Sequence, residues 1–237
     1  MLCAMAIAIV AAGPIPVSAA PSPSPALGTL LATPPAGYVA VSTGPFHGQF
    51  DAAGYASQYQ SKALGADITL IHDGFVDGYG MTWVQRSTGR VLLEFVIAFD
   101  GGKGAKSWLG YEENSDHNDP NYKRANSLAG IDAYYGVHFV FTSPRSYADA
   151  FSLVKGNDMF GVGFVSGKDD VLKLATAQAR SQYDSAPAET IPTAKWSENT
   201  HFSKGTINIL FVVIGAVIAL VLIAGIARLI VSRLRGS

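Results

Sequence analysis

Between residues 37 and 184 apolar side chains recur at every second position in several segments, as strands with one face in a core require. Residues 90–99 show it most clearly, with Val91, Leu93, Phe95, Ile97 and Phe99 on one face. Residues 80–86 precede this run across Ser87-Thr88-Gly89 and predict its hairpin partner. Residues 133–142 alternate again, Ala133, Tyr135, Val137, Phe139 and Phe141 against Tyr134, Gly136, His138 and Val140, and are expected to form a central strand. Residues 147–155 and 159–166 flank Gly156-Asn157-Asp158 and predict a second hairpin. Tyr38 to Val41 predicts a short first strand.

Helical spacing appears in three places. Residues 51–64 predict a helix closed by Gly65, and the short apolar run 68–71 after it fits a helix or a strand. In 105–112, Ala105, Trp108, Leu109 and Glu112 share a side, the first three as core candidates, and a polar loop is expected over 113–126. Asp169 or Asp170 caps a last helix with Val171, Leu174, Ala175, Gln178 and Tyr183 at helical spacing, ended by Pro187. Hairpins rather than helical crossovers join most strands. The expected fold class is therefore α+β, an antiparallel sheet flanked by helices, with no internal repeat.

The ends of the chain follow a different pattern. Residues 205–227 hold no charged side chain and are dominated by Val, Ile, Leu and Ala. At about 1.5 Å per residue they reach roughly 35 Å, enough to cross a hydrocarbon core of about 30 Å as one transmembrane helix. Ile207, Leu210, Phe211, Val213, Ile214, Val217, Leu220 and Leu222 within it, with Arg228, Arg233 and Arg235 after it, would anchor the chain in the membrane. These arginines place the C-terminus in the cytoplasm by the positive-inside rule. Residues 2–12 are apolar and lead through Gly13-Pro14 to Val17-Ser18-Ala19, a secretory signal with cleavage after Ala19. It lacks a basic start, because the first basic residue is Lys62. Signal and span agree on one topology: residues 1–19 signal, 20–36 a Pro/Ser/Ala linker, 37–184 an extracytoplasmic domain, 185–204 a stalk, 205–227 the span and 228–237 a basic cytoplasmic tail. Gly215 and Ala219 form a small-xxx-small pair of the kind that supports a helix-mediated homodimer.

The formal net charge of −1 hides a division. All acidic residues precede the span, and the outer part is net negative while the tail is positive. Lysines and arginines are scattered singly, so nucleic acid is not an expected partner; membrane lipid and a protein partner in the envelope or membrane are. The one cysteine, Cys3, falls inside the signal, which leaves the mature domain without disulfides and dependent on its hydrophobic core.

The strand running into a Gly-rich turn and a Trp-bearing helix (91–109), with a hairpin leading to a final helix (160–183), resembles actinobacterial extracytoplasmic lipoproteins and kinase-sensor regions of the PsbP/Mog1-like fold. The resemblance covers most of 37–184. It implies an antiparallel sheet flanked by helices and a role in binding or sensing, without catalytic residues to carry over.

Candidate chemistry is sparse. Gly101-Gly102-Lys103-Gly104-Ala105-Lys106-Ser107 sits between a strand and a helix, but Ala105 stands where a phosphate loop needs glycine. Residues 112–119 are rich in carboxylates and amides without the ligand spacing of a calcium hand. His47, His72, His117, His138 and His201 show no ligand spacing. His72 with Asp73 and Asp77 is a candidate acid/base group, and His138 reads as a sheet-face histidine. Among Tyr79, Trp83, Trp108, Tyr111, Tyr134 and Tyr135, most are expected in the core and a subset in a cleft for an envelope lipid or glycan. No catalytic motif, cofactor site or metal site is expected. The sequence points to a membrane-anchored extracytoplasmic binding or interaction protein that is not an enzyme. Alternatives are a sensor or carrier of a small hydrophobic ligand, and an envelope hydrolase using His and carboxylates.

Overall fold

A computed structural model describes residues 21–199, of which those up to Trp196 form one unit. Eight strands make a single antiparallel sheet: β1 (Val39–Val41), β2 (His47–Phe50), β3 (Phe75–Gln85), β4 (Arg90–Phe99), β5 (Tyr122–Ala125), β6 (Tyr134–Thr142), β7 (Arg145–Lys155) and β8 (Asp158–Ser166). The spatial order is β1-β3-β4-β8-β7-β6-β5, and β2 lies on the same edge of β3 as β1. Among the described residues the α-helices are α1 (Ala52–Ala56), α2 (Ala63–His72), α3 (Gly102–His117) and α4 (Leu172–Ser185). Helices cover both faces of the sheet, so the α+β class and both hairpins stand.

The two faces are easily told apart by residue. Ile97, Phe99, Tyr135, Val137, Val154 and Met159 pack under α1, α2 and α3, with Trp108 wholly buried. Leu92, Phe151, Leu153, Val162 and Phe164 pack under α4 through Val171, Ala175 and Ala179. Burial of both faces is why β8 reads as an almost continuous apolar run.

Several expectations are corrected. The central strand is β8; β6, expected there, is next to the edge, beside short β5. The helix expected over 51–64 is two helices joined by a 3-10 turn, Ser57–Lys62, and the second runs through Gly65 to His72. Gly65 meets no neighbour and adopts helical backbone, so it does not end the helix. α3 extends five residues past Glu112, and Glu112 is buried with the core side chains. Strands β2 and β5 were not legible, because His47–Phe50 and Tyr122–Ala125 are short and largely polar.

The segments read by composition as linker and stalk pack onto the domain over part of their length. Leu27 and Leu30 bury against Val96, Ala98 and Phe160. Gln182 on α4 fixes the same segment, its Oε1 accepting from Ala32 N at 2.7 Å and its Nε2 donating to Leu30 O at 2.8 Å. Downstream, Asn157 Oδ1 accepts from Thr190 N and Ile191 N, and Ile191 is wholly buried. Proline-rich composition describes the backbone's stiffness, while a few apolar side chains decide whether it docks.

Among the described residues no helix is long and apolar enough to cross a membrane. The signal peptide, the span 205–227 with its anchoring side chains, and Arg228, Arg233 and Arg235 lie outside the described residues.

Candidate functional site

A cleft of about 470 Å³ opens on the α3 face of the sheet. Its origin is a run of missing side chains. One row across the sheet reads Tyr135, Ser152, Gly161, Phe95, and the next reads Val137, Ala150, Gly163, Leu93. Small residues on the two middle strands stand between large ones, so α3 and the floor cannot meet there. The Phe95 ring lies over Gly161, where a Cβ would come within 2.1 Å of it. Gly163 is open, since a Cβ there would touch only Ala150 Cβ at 3.6 Å.

The walls are α3 with the turn after it, and the 3-10 segment Ser57–Lys62. Gln60 on that rim is the one non-glycine residue among those described with positive φ, at 51°, a conformation costing about 1–3 kcal/mol that tertiary contacts must hold.

At the cleft's base lies Glu112. Its Oε1 accepts from Tyr55 Oη, from Trp108 Nε1 at 3.1 Å and from Tyr59 Oη at 3.4 Å; its Oε2 accepts from Ser152 Oγ at 3.1 Å and Tyr135 Oη at 3.2 Å. Burial pushes the Glu112 carboxyl above its ordinary value, and these donors pull it back. Burial and the Glu112 charge together hold Tyr55, Tyr59 and Tyr135 well above the usual phenol value, so all three stay protonated donors.

One helical turn on, Asp116 also meets Tyr135, Oδ2 to Oη at 2.9 Å. Burial, reinforced by the Glu112 charge, raises Asp116 to about 7 against the pull of the Tyr135 bond. A phenol carries a single proton, so Tyr135 cannot fully serve two carboxylates. Below pH 7 protonated Asp116 donates to Tyr135, which donates to Glu112; above it Asp116 turns anionic and faces the cleft with Asp119. Lys62 is the only basic side chain in the lining. The site is therefore acidic, aromatic-walled and equipped to hold a hydroxyl-bearing or cationic small molecule.

Other candidates disperse. A second hollow, of about 570 Å³, between residues 21–28 and β3 has Asp77 as its charged lining residue, already bonded to Gln49 Nε2 and Gly78 N. His72 Nδ1 reaches Asp73 Oδ1 at 3.3 Å, but Asp77 is bonded elsewhere, so the proposed acid/base trio does not assemble. The Gly101–Ser107 turn is built for packing: a Cβ on Gly104 would lie 1.8 Å from Asp73 O and one on Gly102 2.9 Å from the Trp196 ring. His117 packs edge-on to Tyr122. His138 is buried and bonded to Asp149 at 2.8 Å, and His47 is an exposed residue of β2. His201 lies outside the described residues. Of the singled-out aromatics, Tyr135 lines the cleft, Trp108 is wholly buried and donates to Glu112, and Tyr111 stacks on Trp108, rings 4.6 Å apart. Tyr134 bonds Leu128 N, Trp83 belongs to the α4-side core and Tyr79 packs beside residues 27–31. Sequence reasoning did not join Glu112 and Asp116 in one site, because the expected helix ended at Glu112 and Asp116 fell in the loop after it; their i, i+4 spacing becomes meaningful only once α3 runs to His117.

No family model and no curated protein sequence matches the chain. Among solved structures it is similar to the extracellular domain of PknH from Mycobacterium tuberculosis, at 12% sequence identity and a TM-score of 0.46, over 69% of this chain and 96% of that one. The PsbP/Mog1-like likeness remains one of pattern.

Proposed function

We propose that this chain is a non-catalytic binding module held on the outer face of a membrane by its C-terminal span, with the α3 cleft as its ligand site. The tether and the sidedness rest on the sequence: an uncharged apolar run at 205–227, arginines after it and a signal-like start. The observation that carries the ligand site is the Glu112–Tyr135–Asp116 chain beneath a floor opened by Gly163. Carboxylates with tyrosine rings suit an organic ammonium ion, through charge and cation–π attraction. The mixed polar lining does not favour a hydrophobic ligand.

The test is a titration of the full-length protein in detergent with small ammonium compounds (choline, glucosamine, putrescine), read by calorimetry. Saturable binding that strengthens from pH 6 to pH 8, as Asp116 ionises, is expected of at least one. Binding unchanged in Gly163→Val, whose side chain would occupy the floor, would refute the assignment.

A further inference from the structure

On the opposite face of the sheet, three strands line up polar residues. Arg124 on β5 stands opposite His138 on β6, which stands opposite Asp149 on β7. Asp170, just before α4, completes a group in which one nitrogen of His138 and one oxygen each of Asp149 and Asp170 lie within 4.8 Å of one another. His138 and Asp149 are buried and Asp170 is exposed.

We propose that His138, Asp149 and Asp170 bind a divalent transition-metal ion of the zinc class. The second observation pointing to a ligand is Asp149 itself. It is wholly buried, its Oδ1 accepts from Asn126 Nδ2 at 2.9 Å and meets His138 Nδ1 at 2.8 Å, yet its Oδ2 has no partner. A buried carboxylate oxygen left without a donor is costly, and a cation is the group that relieves it. One imidazole and two carboxylates select zinc-like ions over calcium or magnesium, which prefer all-oxygen sites.

The geometry needs small changes. Tetrahedral bonds of about 2.0–2.1 Å hold two ligand atoms about 3.3 Å apart. His138 Nδ1, now 2.8 Å from Asp149 Oδ1, must therefore leave that contact for a metal held by Oδ2, while Asn126 keeps Oδ1 and exposed Asp170 swings inward. Asp170 Oδ1 is bound by Leu172 N at 2.8 Å, and Oδ2 is contacted only by Arg124 at 3.5 Å. Both side chains of that ion pair are about half exposed, so Arg124 is a weak competitor for the oxygen the metal would use. Asn126, bonded to Asp149 and to Val137 O at 2.8 Å, acts as the outer partner that fixes a ligating carboxylate. Water or an exogenous anion would take the fourth position, as in three-ligand zinc sites.

The experiment uses the full-length protein in detergent, with Cys3→Ser to remove the thiol, stripped by chelator and titrated with Zn²⁺ by calorimetry and with Co²⁺ by visible absorption. One ion per chain is expected, with the intense d–d bands of low-coordinate cobalt. Outer partners alone are worth about 10–100-fold in metal affinity, so Asp170→Asn and His138→Ala should each weaken Zn²⁺ binding at least about tenfold. Asp170 is on the surface, so its variant stays informative if His138→Ala fails to fold. Equal Zn²⁺ affinity in wild type and Asp170→Asn, or no binding by wild type at up to about 100 µM, would overturn the proposal.

Discussion

Replacing Glu94 by Gln should stabilise the domain at alkaline pH and leave it nearly unchanged in acid. Glu94 is wholly buried on β4 facing α4; Gln178 Nε2 donates to its Oε1 at 2.8 Å, while Oε2 has no partner. Burial raises its carboxyl from 4.5 to about 7, with the Gln178 bond opposing. The folded state therefore holds a proton that the unfolded chain releases. The resulting stability is fully present below about pH 4.5 and is lost as pH rises through about 7. At 1.36 kcal/mol per unit that loss is about 3 kcal/mol as an upper figure, and a gain of about 1–3 kcal/mol is expected for Glu94→Gln at pH 8. Asp158 and Asp116, also raised to about 7, give wild type and variant the same additional slope, which cancels in the difference. Urea unfolding followed by tryptophan fluorescence reads this cleanly, because all three tryptophans lie within residues 21–196. A stability difference equal at pH 5 and pH 8 would refute the reasoning.

Three further outcomes follow from packing and polar satisfaction. Glu112→Ala removes the acceptor of five donors and should cost about 3–5 kcal/mol, measured by urea unfolding. Gly104→Ala should cost about 1–3 kcal/mol, because its Cβ would meet Asp73 O at 1.8 Å; Gly110→Ala, on the same helix with nothing within 4 Å, should gain about 0.5–1 kcal/mol. Gly163→Val should abolish ligand binding while the thermal midpoint shifts by less than about 3 °C, since the new side chain enters open space.

What could be read in advance follows from which side chains carry a period. The β3–β4 and β7–β8 hairpins were legible because β4 alternates along its length, β8 is a nearly continuous apolar run, and turn residues stand between the strands of each pair. β5 was not, since its pairing to β6 fixes it more than its own polar residues do. Glu94 and Glu112 are each buried by the layer across from them, which no local pattern encodes. The cleft depends on which small residues fall side by side, Ser152 beside Gly161 and Ala150 beside Gly163, and that needs the register between strands.

Ser115 lies on the cleft wall of α3 and is half-buried. With Cys3→Ser and Ser115→Cys, labelling of intact cells by a membrane-impermeant maleimide reads sidedness and cleft together. The account predicts labelling without permeabilisation, slowed several-fold by the ammonium compound that binds the purified protein. Labelling only after lysis, or labelling indifferent to that compound, would contradict it.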